Sequence, residues 1–189
     1  MVGAAPSFSE VHLVRTLLIL SGRKTGRKSL VGILGVGEGS VRTILKKLLK
    51  DGLITSKPRG QELSRKGRKL VEEYLSKFTM PKSVELDIAP GKKCSIIVMH
   101  NSLEKITTGL QEREISVREG ADGAVLLKYS NGSISFPCSD ISLDDYPGTE
   151  RFLSELNLTE GDVVVITFAD YFEKAVDGEL AIALNIISQ

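Results

Sequence analysis

Residues 48–67 read LLKDGLITSKPRGQELSRKG, and this stretch decides the fold of the N-terminal part of the chain. Leu53-Ile54-Thr55-Ser56 predicts a short strand, Lys57-Pro58-Arg59-Gly60 a turn, and Gln61-Glu62-Leu63-Ser64 a returning strand. Gly52 stands where a helix ends in a left-handed residue. Upstream, Val41, Ile44, Leu45, Leu48 and Leu49 recur at helical spacing and predict a helix over 38–50. Gly35-Val36-Gly37 turns the chain before it. Ser29 to Leu34 predicts a short helix with Ser29 as its cap, and Gly22 to Lys28 a basic loop. Phe8, Val11, Val14, Leu17 and Leu18 predict a first helix over 8–20, with Ser7 or Ser9 positioned to cap it. Downstream, Gly67, Leu70, Val71, Tyr74, Leu75 and Phe78 line one face of a last helix. The order is helix, helix, helix, strand, basic turn, strand, helix.

Composition sets the outer limits. The chain has 189 residues, 41% of them hydrophobic and 26% charged, with mean hydropathy +0.01, which is the composition of a globular protein. No apolar run approaches the roughly 18–20 residues of a membrane-spanning helix, and residues 1–9 lack the pattern of a signal peptide. Two cysteines, Cys94 and Cys138, are too few for a disulfide framework and fit a reducing, cytoplasmic setting. The net charge of +1 conceals a division. Residues 1–82 carry 17 basic and 6 acidic residues, a net +11, whereas residues 83–189 carry 8 basic and 18 acidic residues, a net −10. Such asymmetry predicts two modules, the basic one facing a polyanion.

The order of elements in the basic half resembles a winged helix-turn-helix domain, and the stretch 48–67 resembles the wing of many prokaryotic regulators. The resemblance covers about 70 residues and implies binding of double-stranded DNA, with 38–50 as recognition helix in the major groove and 55–64 as a basic wing. The residue chemistry agrees. Ser40, Arg42, Thr43, Lys46 and Lys47 fall on the outward positions of the third helix. Ser40 and Thr43 suit base edges, and Arg42 has the fork that pairs with guanine. Lys46 and Lys47 suit phosphates, as do Lys57 and Arg59 at the wing tip. The same charges also fit a merely solvated helix surface. Gly22 to Ser29 (GRKTGRKS) fails as a phosphate-binding P-loop, since only three residues separate Gly22 from Gly26 and Arg27 replaces the required lysine. Gly32 to Gly39 (GILGVGEG) lacks dinucleotide-binding spacing and lies between helices.

The acidic half alternates strand and helix signals after a linker at Thr79-Met80-Pro81-Lys82. Strands are predicted over 84–88, 94–99, 124–129, 133–136 and 163–168, and helices over 107–119, 149–156 and from a cap at Asp170 to about Ile187. Asn131-Gly132 marks a hairpin turn. The fold class is therefore α+β: a winged helix-turn-helix domain over 1–80, then a small α+β sandwich-like domain over 81–189. The segments GADGAVLLKYSNGSISFP (120–137) and EGDVVVITFAD (160–170), with the helix that follows, resemble a family of uncharacterised archaeal proteins that join a winged helix to a C-terminal domain of unknown function. That resemblance implies a transcriptional regulator of an archaeal-type cell and supplies no catalytic residues.

No nucleophile, base and acid come together in the sequence, so an enzyme is not expected, and no cofactor is either. His12 and His100 fall in different modules. Cys94, His100 and Cys138 match no compact metal-ligand spacing, and a buried strand cysteine is ordinarily a small apolar side chain. For the acidic half the expectations are effector binding, dimerisation, or both. Arg113, Arg118 and Asp170 are the candidate effector-binding residues, Asp170 at a helix N-terminus and the arginines as charge donors. Each also has a plain structural reading, as helix cap or surface ion pair. A two-fold operator favours a homodimer, with the last apolar helix, 175–187, as a candidate surface that equally suits covering the sheet. Two alternatives stay open: a metabolic enzyme or ligand-binding protein whose winged helix regulates its own operon, and a protein-interaction adaptor.

Overall fold

The structure is a computed structural model that describes residues 8–106, 108–137 and 143–189; Ser7, Thr107 and Cys138, named above, lie outside the described residues. It divides into two compact units between Leu75 and Ser76.

In the first unit α1 (Glu10–Gly22), α2 (Arg27–Leu34) and α3 (Glu38–Lys50) are followed by the hairpin β1 (Ile54–Lys57) and β2 (Gly60–Leu63), then by α4 (Arg65–Leu75). The helices converge because each buries an apolar stripe: Val14, Leu17 and Leu18 of α1, Leu30 and Leu34 of α2, and Val41, Ile44 and Leu48 of α3. Ser9 is the N-cap of α1, and its backbone N–H donates to His12 Nδ1 at 3.2 Å. Buried Arg15 donates from Nη2 to the carbonyl of Ile33 at 2.8 Å, satisfying an end of α2 that closes on left-handed Gly35. The hairpin pairs Lys57 with Gly60, so Pro58 and Arg59 alone form its tip, and the strands lie one residue closer to the tip than the sequence predicts. Gly67 seats α4 against the hairpin's root, because a Cβ there would fall 2.0 Å from the carbonyl oxygen of Leu53.

The second unit is α+β, with a five-stranded antiparallel sheet among its described residues. Its strands are β3 (Lys82–Val84), β4 (Lys93–Met99), β5 (Gly123–Ser130), β6 (Ser133–Ser135) and β7 (Val163–Ala169), in the order β3-β4-β7-β5-β6. Helices α5 (Leu110–Arg118), α6 (Pro147–Ser154) and α7 (Phe172–Ile187) complete it. Register decides the two faces. Ser95 pairs with Thr167, Ile97 with Val165 and Met99 with Val163, and this face meets α7 through Ser95 to Glu179 (2.6 Å) and Thr167 Oγ1 to the Ala175 carbonyl (2.7 Å). The opposite face contributes Cys94, Ile96, Leu127, Val164 and Ile166 to a core closed by Leu86, Leu143 and Leu153. Burial pushes the Cys94 thiol up, as expected of an apolar filler.

Five expectations change here. The segment read as a linker already pairs with the sheet: Phe78 bridges Met99, and the Thr79 N–H donates to the Val98 carbonyl at 3.0 Å. The strand predicted over 84–88 ends at Val84, since Leu86 and Ala89 turn inward to the core. Asp170 does not cap α7, whose N-cap is Tyr171; its carboxylate reaches Lys92 instead. Ser29 likewise is no cap, because α2 begins two residues earlier, after Gly26. The final helix is buried from Ala175 to Ala183, so it covers the sheet rather than presenting an apolar surface for a second copy.

Candidate nucleic-acid interface

The buried stripe of α3 fixes what its other side presents. With Val41, Ile44, Leu45 and Leu48 turned inward, Arg42, Thr43, Lys46 and Lys47 are exposed, and Ser40 is half-buried at the flank. Thr43 Oγ1 donates to the Gly39 carbonyl at 3.0 Å, one turn back. Lys57, the last residue of β1, and Arg59 in the turn after it are exposed.

A one-residue strand brings further cations to this side. Thr25 donates its N–H to the Gln61 carbonyl at 3.1 Å and accepts from the Gln61 N–H at 2.9 Å, which ties the α1–α2 connection to β2. Gly60 makes this approach possible: it has φ +130°, and a Cβ would lie 2.7 Å from the Thr25 carbonyl. Because Thr25 is pinned, α2 starts at Arg27, and Arg27 and Lys28 come beside α3. An open groove of roughly 620 Å³ results, with Arg27, Lys28, Arg42 and Lys46 around an apolar floor of Leu45 and Leu49. The sequence reading placed Arg27 and Lys28 in a loop and missed them, since a single bridging residue leaves no periodicity to detect.

Two carboxylates organise these cations. Glu38, the first residue of α3, reaches Arg27 at 3.1 Å and Arg42 at 3.5 Å. Glu62 lies between Lys24 (3.3 Å) and Lys57 (3.7 Å); against the burial that opposes it, the hydrogen bond and charge of Lys24, then the charge of Lys57, hold its carboxyl below the usual range. All these pairs are solvent-exposed and contribute little to folding.

The effector candidates do not converge. Arg118 pairs with Glu114 at 3.6 Å, one helical turn away. Asp170 shares Lys92 with Asp122, at 2.7 and 2.6 Å, and those two hydrogen bonds raise the lysine above its ordinary value. Arg113 lines a separate groove with Leu110 and Phe136. A larger cavity, about 470 Å³, opens instead between the β5–β6 hairpin and α6, with Ile134, Leu143, Leu153 and Leu156 as floor and Tyr129 and Glu150 on its rim. Cys94 and His100 stand at opposite ends of β4, about 20 Å apart by strand rise. His100 Nδ1 lies 3.6 Å from Asp162 instead. Among the described residues no group of three or more His, Cys, Asp or Glu side chains is arranged to hold a metal ion. Nor is any helix among them long and apolar enough to cross a membrane.

A family model described as a domain of unknown function (DUF4443) matches residues 90–186, more than half of the chain. The chain belongs to the DUF4443 family. A second model, the PH0730-like N-terminal domain, matches residues 12–69. Among solved structures, hypothetical protein PH0730 from Pyrococcus horikoshii OT3 is similar to this DUF4443 protein at 27% identity and TM-score 0.82, over 96% of this chain and 94% of that one. An IclR transcriptional regulator from Alicyclobacillus acidocaldarius aligns over 94% of this chain and 97% of its own, at 11% identity and TM-score 0.31. No curated protein matches the chain.

Proposed function

We propose that the first unit is a winged helix-turn-helix that binds double-stranded DNA, and that the protein is a transcriptional regulator of an archaeal-type cell. In this reading α3 enters the major groove and the β1–β2 hairpin is the wing. One observation carries it. Arg27, Lys28, Arg42 and Lys46 from two helices share a single open groove beside the exposed side of α3. That is an arrangement suited to straddling a phosphate backbone while side chains reach base edges. Homodimerisation and effector binding are part of the same proposal. For the effector, the apolar floor and polar rim of the 470 Å³ cavity give better support than Arg113, Arg118 and Asp170.

The test is selection of bound duplexes from a random pool with the full chain, followed by affinity measurements on the selected site. Arg42→Ala is expected to relax base preference at one position and to cost about 1–3 kcal/mol. Lys57→Ala is expected to weaken all sequences alike. Unchanged affinity after replacing Arg27, Lys28, Arg42 and Lys46 together by alanine would refute the reading and favour a protein-interaction adaptor.

A further inference from the structure

Residues 22–59 contain ten lysines and arginines and two acids, Glu38 and Asp51. Asp51 closes α3 at its C-terminal end, about 20 Å along the helix from Glu38. Glu38 is thus the carboxylate of the N-terminal turn, the part of a recognition helix that meets base edges. It is more than half exposed, yet it holds two arginines from two helices, Arg27 at 3.1 Å and Arg42 at 3.5 Å. A carboxylate in this place repels phosphate and cancels cations that would otherwise bind any duplex.

We infer that Glu38 is a specificity-determining residue: it suppresses indiscriminate DNA binding and selects cytosine beside the guanine read by Arg42. The inference rests on the DNA-binding reading above. Its chemistry is direct. At guanine or thymine the Glu38 carboxylate meets only acceptor atoms, and at adenine the N6 donor stands beside the repelling N7 acceptor, so it keeps its arginines and the cost of desolvating it is not fully relieved. Opposite a cytosine, the N4 amine donates to the carboxylate, and the guanidinium of Arg42 is released to fork onto guanine O6 and N7. Glu38 and Arg42 are one helical turn apart on the same side of α3, a separation that spans neighbouring base pairs. Arg27 then turns to the backbone, where it positions without reading sequence.

The experiment compares the full chain with Glu38→Gln, Glu38→Asp and Arg27→Gln, by selection from a random duplex pool and by salt titration on the selected site and on an unrelated duplex. The native chain is expected to select a cytosine next to a guanine. Glu38→Gln is expected to exchange that cytosine for adenine, the base a carboxamide pairs with. It should also bind the unrelated duplex roughly tenfold tighter, with a salt slope steeper by about one to two. Glu38→Asp keeps the charge and should keep weak binding to the unrelated duplex. Arg27→Gln breaks the same cluster from its other side and should keep the cytosine, which separates base reading from any effect on the start of α3. If the native chain binds selectively and Glu38→Gln retains the cytosine, the salt slope and the unrelated-duplex affinity, the inference alone is overturned. If the native chain selects no sequence, the DNA-binding reading falls and takes this inference with it.

Discussion

Glu179 is completely buried between α7 and β4. One carboxyl oxygen accepts from Ser95 Oγ at 2.6 Å; Oε1 has no hydrogen-bond partner among the described residues. Burial pushes its carboxyl well above the ordinary 4.5, only partly opposed by the Ser95 hydrogen bond, so the fold favours the neutral acid over the carboxylate. The sign follows from linkage. Below pH 4.5 the group is protonated both folded and unfolded, and its stabilising contribution is complete. As pH rises from 4.5 toward the folded value, only the unfolded chain ionises, and stability falls by about 1.4 kcal/mol per pH unit across that window. Glu179→Gln, which cannot ionise, is expected to flatten this decline and to exceed the native chain in stability at pH 8. Urea midpoints of both proteins at pH 4, 6 and 8 check it; parallel pH curves would show that Glu179 is ionised in the fold.

At the scale of elements, α6 depends on a residue more than sixty positions away. Asp87 accepts from the backbone N–H groups of Gly148 (2.7 Å) and Thr149 (2.8 Å) and from the Thr149 hydroxyl (2.5 Å). It therefore does for the first turn of α6 what Tyr146, the N-cap, does not. The Thr149 hydroxyl and then the two backbone donors hold the Asp87 carboxyl below its usual value. Its contribution is present above the ordinary pKa of 3.8 and is lost as pH falls through the lower folded value. Asp87→Asn is expected to lower the thermal midpoint at pH 7, and the gap from the native chain should close on acidification below pH 3.8. A constant gap would assign the loss to geometry rather than charge. This element also shows what a sequence discloses. The Asn131-Gly132 hairpin was legible because both residues carry the positive φ that the turn demands, 52° and 73°. The limits of α3 were legible because its apolar period and its flanking glycines are local. The Asp87 cap and the Thr25–Gln61 bridge were not, since each joins remote segments through contacts with no repeating pattern.

For the molecule as a whole, the charge division follows the architecture. The residues up to Leu75 hold 15 basic against 6 acidic side chains, and those from Ser76 hold 10 against 18. Under the proposed function, the first unit sets the salt response. With about four to six phosphates neutralised per protomer, log K is expected to fall against log salt with a slope of roughly −4 to −5. Fluorescence anisotropy across a salt series reads it directly, and a slope near zero would rule out a phosphate-dominated interface. Of the groove, the α3 cations were visible as outward positions on one helical period. Arg27 and Lys28 were not, because their placement depends on Gly60 letting two backbones meet.

The position of α7 also imposes an order on synthesis. The polypeptide emerges from its N-terminus, so the first unit has all its helices and both its strands before any strand of the five-stranded sheet exists. Every strand of that sheet then leaves the ribosome before α7 does. During this interval Ile97, Met99, Val163 and Val165, which share one sheet face in the fold, have no covering helix available. A nascent chain therefore passes through a stage in which the charged, groove-bearing unit is finished while its neighbour offers a bare apolar surface.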